Sequence, residues 1–70
     1  MYLKNLVELR KQKSWSQERL ARESDISYNT LIKLEQKSIK NPKIETVIKL
    51  ADALEVSLDD LVGREGFKQS

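Results

Sequence analysis

The sequence predicts an all-α protein, a compact bundle of five short helices with a helix-turn-helix formed by the second and third. Apolar residues recur at helical spacing in several segments, whereas apolar and polar residues never alternate for long enough to indicate a strand. Serines stand where helices would begin, at positions 16, 27 and 57. The chain has 70 residues, 39% of them hydrophobic, which allows one small domain with a modest core.

The first helix is predicted over Leu3–Lys13. One face repeats at i, i+3, i+4 and i+7, the positions of Leu3, Leu6, Val7 and Arg10. The last of these positions carries a charge, which is unusual in a stripe that faces a core.

The second and third helices are predicted over Gln17–Ser24 and Tyr28–Gln36, with a tight turn between them. Each follows a serine, Ser16 or Ser27, whose hydroxyl can accept a hydrogen bond from an amide of the first turn. Each serine also has an apolar residue before it and a leucine four positions after it, the spacing of a hydrophobic staple, in the pairs Trp15/Leu20 and Ile26/Leu31. Two short helices around a tight turn suggest a helix-turn-helix.

A basic loop, Lys37–Pro42, is predicted next, because proline disfavours helical geometry in the residue before it and suits the start of a helix. The fourth helix is predicted over Lys43–Leu54. It has the strongest helical periodicity in the chain, with an apolar stripe of Ile44, Val47, Ile48, Ala51 and Leu54.

Ser57 is predicted to cap a short fifth helix that ends at Val62. Asp59 and Asp60 fall in its first turn, where the helix dipole favours negative charge, so we interpret them as helix-start residues and not as metal ligands. Residues 1–63 are expected to form the domain, and residues 64–70 a polar C-terminal tail.

The composition argues against an enzyme. The chain has no His and no Cys, so the commonest general base, the thiol nucleophile and the usual zinc ligands are missing. Its two glycines lie near the C-terminus, which leaves no glycine-rich phosphate loop. We therefore expect no catalytic residue, no metal and no cofactor.

The sequence also argues against a membrane protein. No apolar run approaches the roughly 20 residues that span a bilayer, and the N-terminus lacks the apolar stretch of a signal peptide. We expect no membrane partner and a cytoplasmic location, which the absence of cysteine also suits.

Charge is distributed unevenly along the chain. Residues 1–43 hold ten Lys or Arg against five Asp or Glu, a net of +5, whereas residues 44–70 hold three against six, a net of −3. The first part is the expected binding surface for a polyanion. The alternative is that these charges lie on ordinary solvated faces.

The predicted third helix has two unlike faces. At 100° per residue, one side carries an aromatic, an amide, an aliphatic and a cationic side chain, those of Tyr28, Asn29, Ile32 and Lys33. Asn can pair with adenine, Lys can donate to guanine, and an apolar side chain can touch a thymine methyl group, so this face suits a DNA major groove. Any surface helix has a polar face, so the pattern does not decide the matter alone.

Five short motifs lie along the chain: S-Q-E-R-L-A at 16–21, I-S at 26–27, L-x-x-L-E at 31–35, N-P at 41–42 and K-L-A-D-A-L at 49–54. Through them the stretch from Leu9 to Leu61 closely resembles the lambda-repressor-like, Xre/Cro type of helix-turn-helix domain. The resemblance implies a five-helix fold that binds double-stranded DNA.

The resemblance also implies roles for individual residues. Tyr28, Asn29 and Lys33 would face base edges, with Ile32 beside them. Arg10 and Glu35 match positions that often form an internal ion pair, which would explain the arginine in the apolar stripe. The expected contacts of DNA phosphates are Ser16, Gln17, Ser27, Thr30, Lys37, Lys40 and Asn41.

Three positions depart from the family's pattern. Asp25 and Glu55 stand where glycine is usual, and since Asp tolerates left-handed backbone geometry better than most residues, the turn at Asp25 is expected to form with some strain. Ile32 is usually polar in such domains. It is either a methyl-contacting residue, or an exposed apolar side chain or partner contact.

We predict a sequence-specific regulator of transcription, a repressor that binds an inverted repeat as a homodimer. One recognition helix contacts few base pairs, and two-fold pairing doubles the site. Dimer contacts are expected from the apolar residues near the C-terminus, Leu58, Val62 and Phe67. The alternative is a protein-interaction module on the same fold, either an antitoxin with a toxin partner or an adaptor, although Asn29 and Lys33 favour DNA.

Overall fold

Five α-helices lie in residues 2–63, the part of the chain that the computed structural model describes, and this part contains no strand. They are α1 (Leu6–Gln12), α2 (Gln17–Ser24), α3 (Tyr28–Glu35), α4 (Ile44–Leu54) and α5 (Leu58–Val62). The predicted all-α class and the five predicted helices are confirmed. The predicted tail, 64–70, lies outside the described residues, so the domain boundary stays a prediction.

The core is made of aliphatic side chains from all five helices. Helix α2 packs against α3 and α4, while α5 packs against α4 and α1. Each helix contributes one leucine with no exposed surface, and these are Leu6, Leu20, Leu31, Leu50 and Leu61. Complete burial of a leucine stabilises a domain by about 1.5–3 kcal/mol, so each of the five helices is held in the fold by a buried leucine of its own.

The three predicted serine caps are confirmed. Ser16 Oγ accepts a hydrogen bond from the Arg19 amide at 3.0 Å, and Ser27 and Ser57 act in the same way at the starts of α3 and α5. At α5 the cap is reciprocal, because Asp60 Oδ2 accepts a hydrogen bond from the Ser57 amide at 3.4 Å. The sequence analysis did not identify this capping box, in which aspartate replaces the usual Glu or Gln.

Helix α1 begins at Leu6, so the prediction that it begins at Leu3 is wrong. Leu3 is buried, but the chain from Leu3 to Asn5 docks on the end of α5. The Asn5 amide donates to the Leu61 carbonyl at 3.1 Å, and Asn5 Nδ2 donates to the Asp60 carbonyl at 2.8 Å. These tertiary hydrogen bonds hold the segment outside the helix that its periodicity favours.

The predicted apolar stripe of α4 is partly wrong. Ile44 and Ile48 are 63% and 44% exposed, whereas Leu50, absent from the predicted stripe, is fully buried. The apolar band of this helix is wider than the surface its neighbours cover, so Leu50 on one edge is buried and Ile48 on the other is not. The residues of α4 that do enter the core are Val47, Leu50, Ala51 and Leu54.

The bounds of two helices differ by one residue from the prediction. Helix α4 begins at Ile44, one residue after the predicted start, and α3 ends at Glu35, one residue before the predicted end.

A non-glycine residue of positive φ follows each of the first four helices, directly after α2 and α4 and one residue later after α1 and α3. These residues are Ser14, Asp25, Lys37 and Glu55, with φ of 59° or 60°. After α2, the Asp25 amide donates to the Arg22 carbonyl at 3.2 Å and the Ile26 amide to the Ala21 carbonyl at 3.0 Å, which is the Schellman pattern. The turn predicted at Asp25 therefore forms, in a left-handed geometry that glycine adopts freely and that L-residues disfavour.

Candidate nucleic-acid interface

The outward face of α3 carries the side chains that were predicted to read bases. Tyr28 is 46% exposed, and Asn29 and Lys33 are also exposed. Leu31 and Leu34, on the other side of the helix, are buried in the core. Ile32, expected beside the base-reading residues, is half-buried. The structure thus presents an amide, an ammonium group and an aromatic ring together on one solvated helix face.

The start of α3 is held by side-chain hydrogen bonds. Ser27 Oγ accepts from the Thr30 amide at 3.1 Å and donates to Thr30 Oγ1 at 2.8 Å. At the start of α2, Ser16 Oγ likewise accepts a hydrogen bond from the Arg19 amide. Three residues predicted to contact phosphate, Ser16, Ser27 and Thr30, are therefore part of the helix starts, and their contact with DNA stays a prediction.

The last residue of α2, before the turn to α3, is a buried serine. Ser24 is 3% exposed, and its hydroxyl donates to the Leu20 carbonyl at 2.6 Å. Because the hydroxyl is satisfied within its own helix, a small polar residue can lie in the core without an unpaired group. Sequence reasoning missed Ser24, whose signal was its place one turn after Leu20 on the buried face of α2.

Arg10 of α1 and Glu35, the last residue of α3, form an ion pair. Arg10 Nε donates to Glu35 Oε2 at 2.7 Å and Arg10 Nη2 donates to Glu35 Oε1 at 3.1 Å, so the pair is bidentate. The third nitrogen, Arg10 Nη1, donates to the Trp15 carbonyl at 2.9 Å. One arginine of α1 therefore holds both the end of α3 and the chain that enters α2.

Gln17 belongs to the same hydrogen-bond network. Its Nε2 donates to Glu35 Oε1 at 2.7 Å, so the Glu35 carboxylate accepts three hydrogen bonds, two from Arg10 and one from Gln17. The resemblance implied that Gln17 contacts a DNA phosphate. In the structure its amide group is engaged inside the domain, where it connects the first residue of α2 to the last residue of α3.

Two cations flank the Trp15 ring just before α2. Lys13 Nζ lies 5.1 Å from the ring centre and Arg19 Cζ lies 5.0 Å from it. Contacts of this kind are worth about 0.5–1 kcal/mol each at exposed sites. Together with the Arg10 hydrogen bond to the Trp15 carbonyl, they hold the chain at the entry to the helix-turn-helix.

Every exposed charge between positions 26 and 43 is positive. Glu35 is the one acidic residue between positions 26 and 43. Its side chain is 5% exposed and paired with Arg10. The exposed lysines of this stretch are Lys33, Lys37, Lys40 and Lys43. With Asn41 exposed among them, the end of α3 and the segment after it form a basic surface, next to the predicted base-reading face that carries Tyr28, Asn29 and Lys33.

Within residues 2–63, no three His, Cys, Asp or Glu side chains are grouped so that they can hold a metal ion. The same residues contain no helix that is long and apolar enough to cross a bilayer.

A sequence profile of the helix-turn-helix family matches residues 6–61 of the chain. The chain belongs to the helix-turn-helix family, of the Xre/lambda-repressor-like type. The family resemblance seen in the sequence is therefore confirmed, and the family is one of DNA-binding regulators and not of enzymes, as expected. Membership identifies a DNA-binding domain, with α2 and α3 as its helix-turn-helix.

A curated relative supports the same assignment. This helix-turn-helix domain is similar to the HTH-type transcriptional regulator AnsR of Bacillus subtilis strain 168, with 37% identity over 70 residues. The match covers 100% of this chain and 60% of the relative. The comparison with solved structures gave no significant match.

Proposed function

We propose that the protein recognises a specific sequence of double-stranded DNA by placing α3 in the major groove, and that it represses transcription as a homodimer bound to an inverted repeat. The observation that carries this proposal is the exposed face of α3. The side-chain amide of Asn29 has both a donor and an acceptor, so it can pair with adenine. The ammonium group of Lys33 can donate to guanine. Tyr28 and the accessible part of Ile32 supply apolar contact for a thymine methyl group.

The basic surface after α3 supports the same proposal. Lys37, Lys40 and Asn41 are all exposed in the segment after α3, and the pairing with Arg10 neutralises Glu35, the one acidic residue of positions 26–43. Contacts to phosphate supply affinity without sequence information and position the helix for base contacts. The basic surface and the base-reading face therefore have complementary roles.

Exposed apolar residues on α4 and α5 support the homodimer. Ile44, Ile48 and Leu58 are 63%, 44% and 39% exposed, and their two helices pack against each other. These helices carry neither the base-reading face nor the basic surface, so a partner there leaves α3 free. Pairing about a two-fold axis places two recognition helices on half-sites that are one helical turn, about 34 Å, apart. Val62 is half-buried and packs against the core, and Phe67 lies outside the described residues.

The test is selection of bound sequences from a random duplex pool, combined with sedimentation of the free protein. We expect an enriched inverted repeat and a dimer. The variant Asn29→Ala/Lys33→Ala should lose the enrichment, while Lys49→Ala, an exposed lysine of α4, should keep it. If the wild-type protein enriched no sequence, the antitoxin or adaptor alternative would replace this proposal.

A further inference from the structure

A cavity lies on the side of α3 that carries Thr30 and Leu34, away from Asn29. It is bounded by α3, by the segment that joins α3 to α4, and by the first turn of α4. Its volume is about 340 Å³, within the range of small-molecule sites. It is open to solvent on one side, so a ligand can enter without a change in the fold.

The walls of the cavity are divided by chemistry. Leu34, Ile39 and Pro42 form an apolar wall. Lys43 and Thr46 supply an ammonium group and a hydroxyl from the start of α4. The arrangement suits a ligand with an apolar body and a polar end.

The charge of the lining selects an anion. No acidic residue lines the cavity, and Lys43 forms no ion pair with any residue of the described part of the chain. Thr30 Oγ1 accepts its hydrogen bond from Ser27, so its own proton remains for an acceptor in the cavity. A cationic ligand would meet only like charge here, whereas a carboxylate meets one ammonium group and two hydroxyls.

We propose that this cavity binds a small organic carboxylate, with its apolar body against Leu34, Ile39 and Pro42 and its carboxylate beside Lys43 and Thr46. Occupancy also weakens DNA binding, because the ligand adds a negative charge next to Asn41, which lines the cavity and is a predicted phosphate contact. This second step rests on the proposed function, whereas binding of the carboxylate does not.

The direct test is a titration of the ¹⁵N-labelled protein with hexanoate at constant ionic strength, followed by amide chemical shifts. We expect saturable shifts confined to residues 30–46. Hexanol, which has the body without the charge, and inorganic phosphate, which has charge without the body, should both bind much more weakly. Lys43→Gln should weaken hexanoate binding about tenfold, because a charge-assisted contact is lost. Lys49→Gln, on the same helix but outside the lining, should leave it unchanged.

Absence of saturable shifts, equal binding of hexanol or phosphate, or equal affinity of the two lysine variants would each overturn the proposal.

The effect of hexanoate on DNA binding is measured as the apparent Kd for a duplex, with hexanoate replacing chloride at fixed sodium concentration. We expect a higher Kd in hexanoate for wild type and a smaller rise for Lys43→Gln. A protein that binds hexanoate but no duplex would refute the proposed function alone. A protein that binds duplex but no hexanoate would refute this inference alone.

Discussion

Arg10 of α1 and Glu35 of α3 form a bidentate ion pair, with N–O distances of 2.7 and 3.1 Å and side chains only 12% and 5% exposed. The pair joins α1 to the last residue of α3, the second helix of the helix-turn-helix. Since the same arginine also holds the Trp15 carbonyl, it sets where α2 begins relative to where α3 ends. The pairing with Glu35 thus explains why the apolar stripe of α1 contains a charged residue, Arg10.

Breaking this pair from one side should severely destabilise the protein. Arg10→Met leaves the Glu35 carboxylate buried without its main partner, a change that typically costs about 3–5 kcal/mol. Arg10→Met combined with Glu35→Leu should cost less, because no charge is left buried. Denaturant unfolding followed by the fluorescence of Trp15, the one tryptophan of the chain, measures both values.

Arg10→Lys is the matched control for this experiment, since it keeps the charge but loses the bidentate geometry. Its free energy of unfolding should fall between those of wild type and Arg10→Met. If the losses from Arg10→Met and Glu35→Leu simply added in the double variant, the two side chains would not be coupled.

Gln17 is expected to stabilise the protein in the absence of DNA. Its hydrogen bond to the Glu35 carboxylate should contribute about 1.5 kcal/mol, the lower end for a bond to a charged group. Gln17→Ala should therefore lower the free energy of unfolding by that amount, measured without DNA. Glu18→Ala, at the exposed neighbouring position, serves as the control and should change little. An unchanged stability in Gln17→Ala, with weaker DNA binding, would instead assign Gln17 to phosphate contact alone.

Glycine at position 55 should stabilise the protein. Glu55 has a φ of 59°, and relief of that geometry by Glu55→Gly should raise the free energy of unfolding by about 1 kcal/mol. Glu55→Ala keeps the unfavourable φ and is the control. It also removes the 3.4 Å ion pair between Glu55 and Lys13, a surface contact that contributes little to stability. Thermal unfolding compares the three proteins. Equal midpoints for Gly and Ala would show that the positive φ carries no penalty here.

Substitution at Gly63 should have the opposite effect. Gly63 has a φ of 74°, and an added Cβ would lie 3.0 Å from Cδ of Lys4. Gly63→Ala should therefore lower the thermal midpoint, while Lys4→Ala in the same background should recover the part of the loss that comes from the clash. The remainder combines the penalty of the positive φ with the approaches to Lys4 Cβ at 3.3 Å and Asn5 Nδ2 at 3.4 Å, which Lys4→Ala does not remove.

Base reading and phosphate contact can be separated by salt dependence. Asn29→Ala should lower affinity for the selected duplex by about 1–3 kcal/mol and affect random duplex less. Lys40→Ala should weaken both duplexes and reduce the salt slope by about one unit, because one fewer phosphate is neutralised. Titrations of both duplexes at several salt concentrations give these values. An equal loss on both duplexes for Asn29→Ala would mean that α3 does not read bases.

A charge on the exposed face of α4 should reduce self-association. Ile48→Lys would place an ammonium group in the proposed interface, and sedimentation should show a weaker dimer with an unchanged circular dichroism spectrum. Lys49→Glu, a charge change at the next exposed position, is the control. Truncation after Leu54 is a poor alternative, because it removes Leu61, which is fully buried in the core. A dimer of unchanged affinity in Ile48→Lys would place the interface elsewhere.

Much of the candidate site was predictable because its signals are local. Ser27 marks the start of α3 by a hydrogen bond within one helical turn, and the spacing from Asn29 to Lys33 places both on one face. The partners of Gln17 were not predictable in this way. Its acceptor, Glu35, lies 18 positions away, and only the packing of α2 against α3 brings the two together.

The sequence by itself determined the helical class, the five helices of residues 2–63 and three of their starts, because caps and periodicity act over a few neighbouring residues. Tertiary structure decided which part of each apolar band is buried: Leu50 lies in the core while Ile44 and Ile48 remain at the surface. It also ended the helical pattern before Leu6, where hydrogen bonds to α5 hold the preceding segment. Burial and long-range hydrogen bonds depend on what another part of the chain presents, so they follow from packing and not from local spacing.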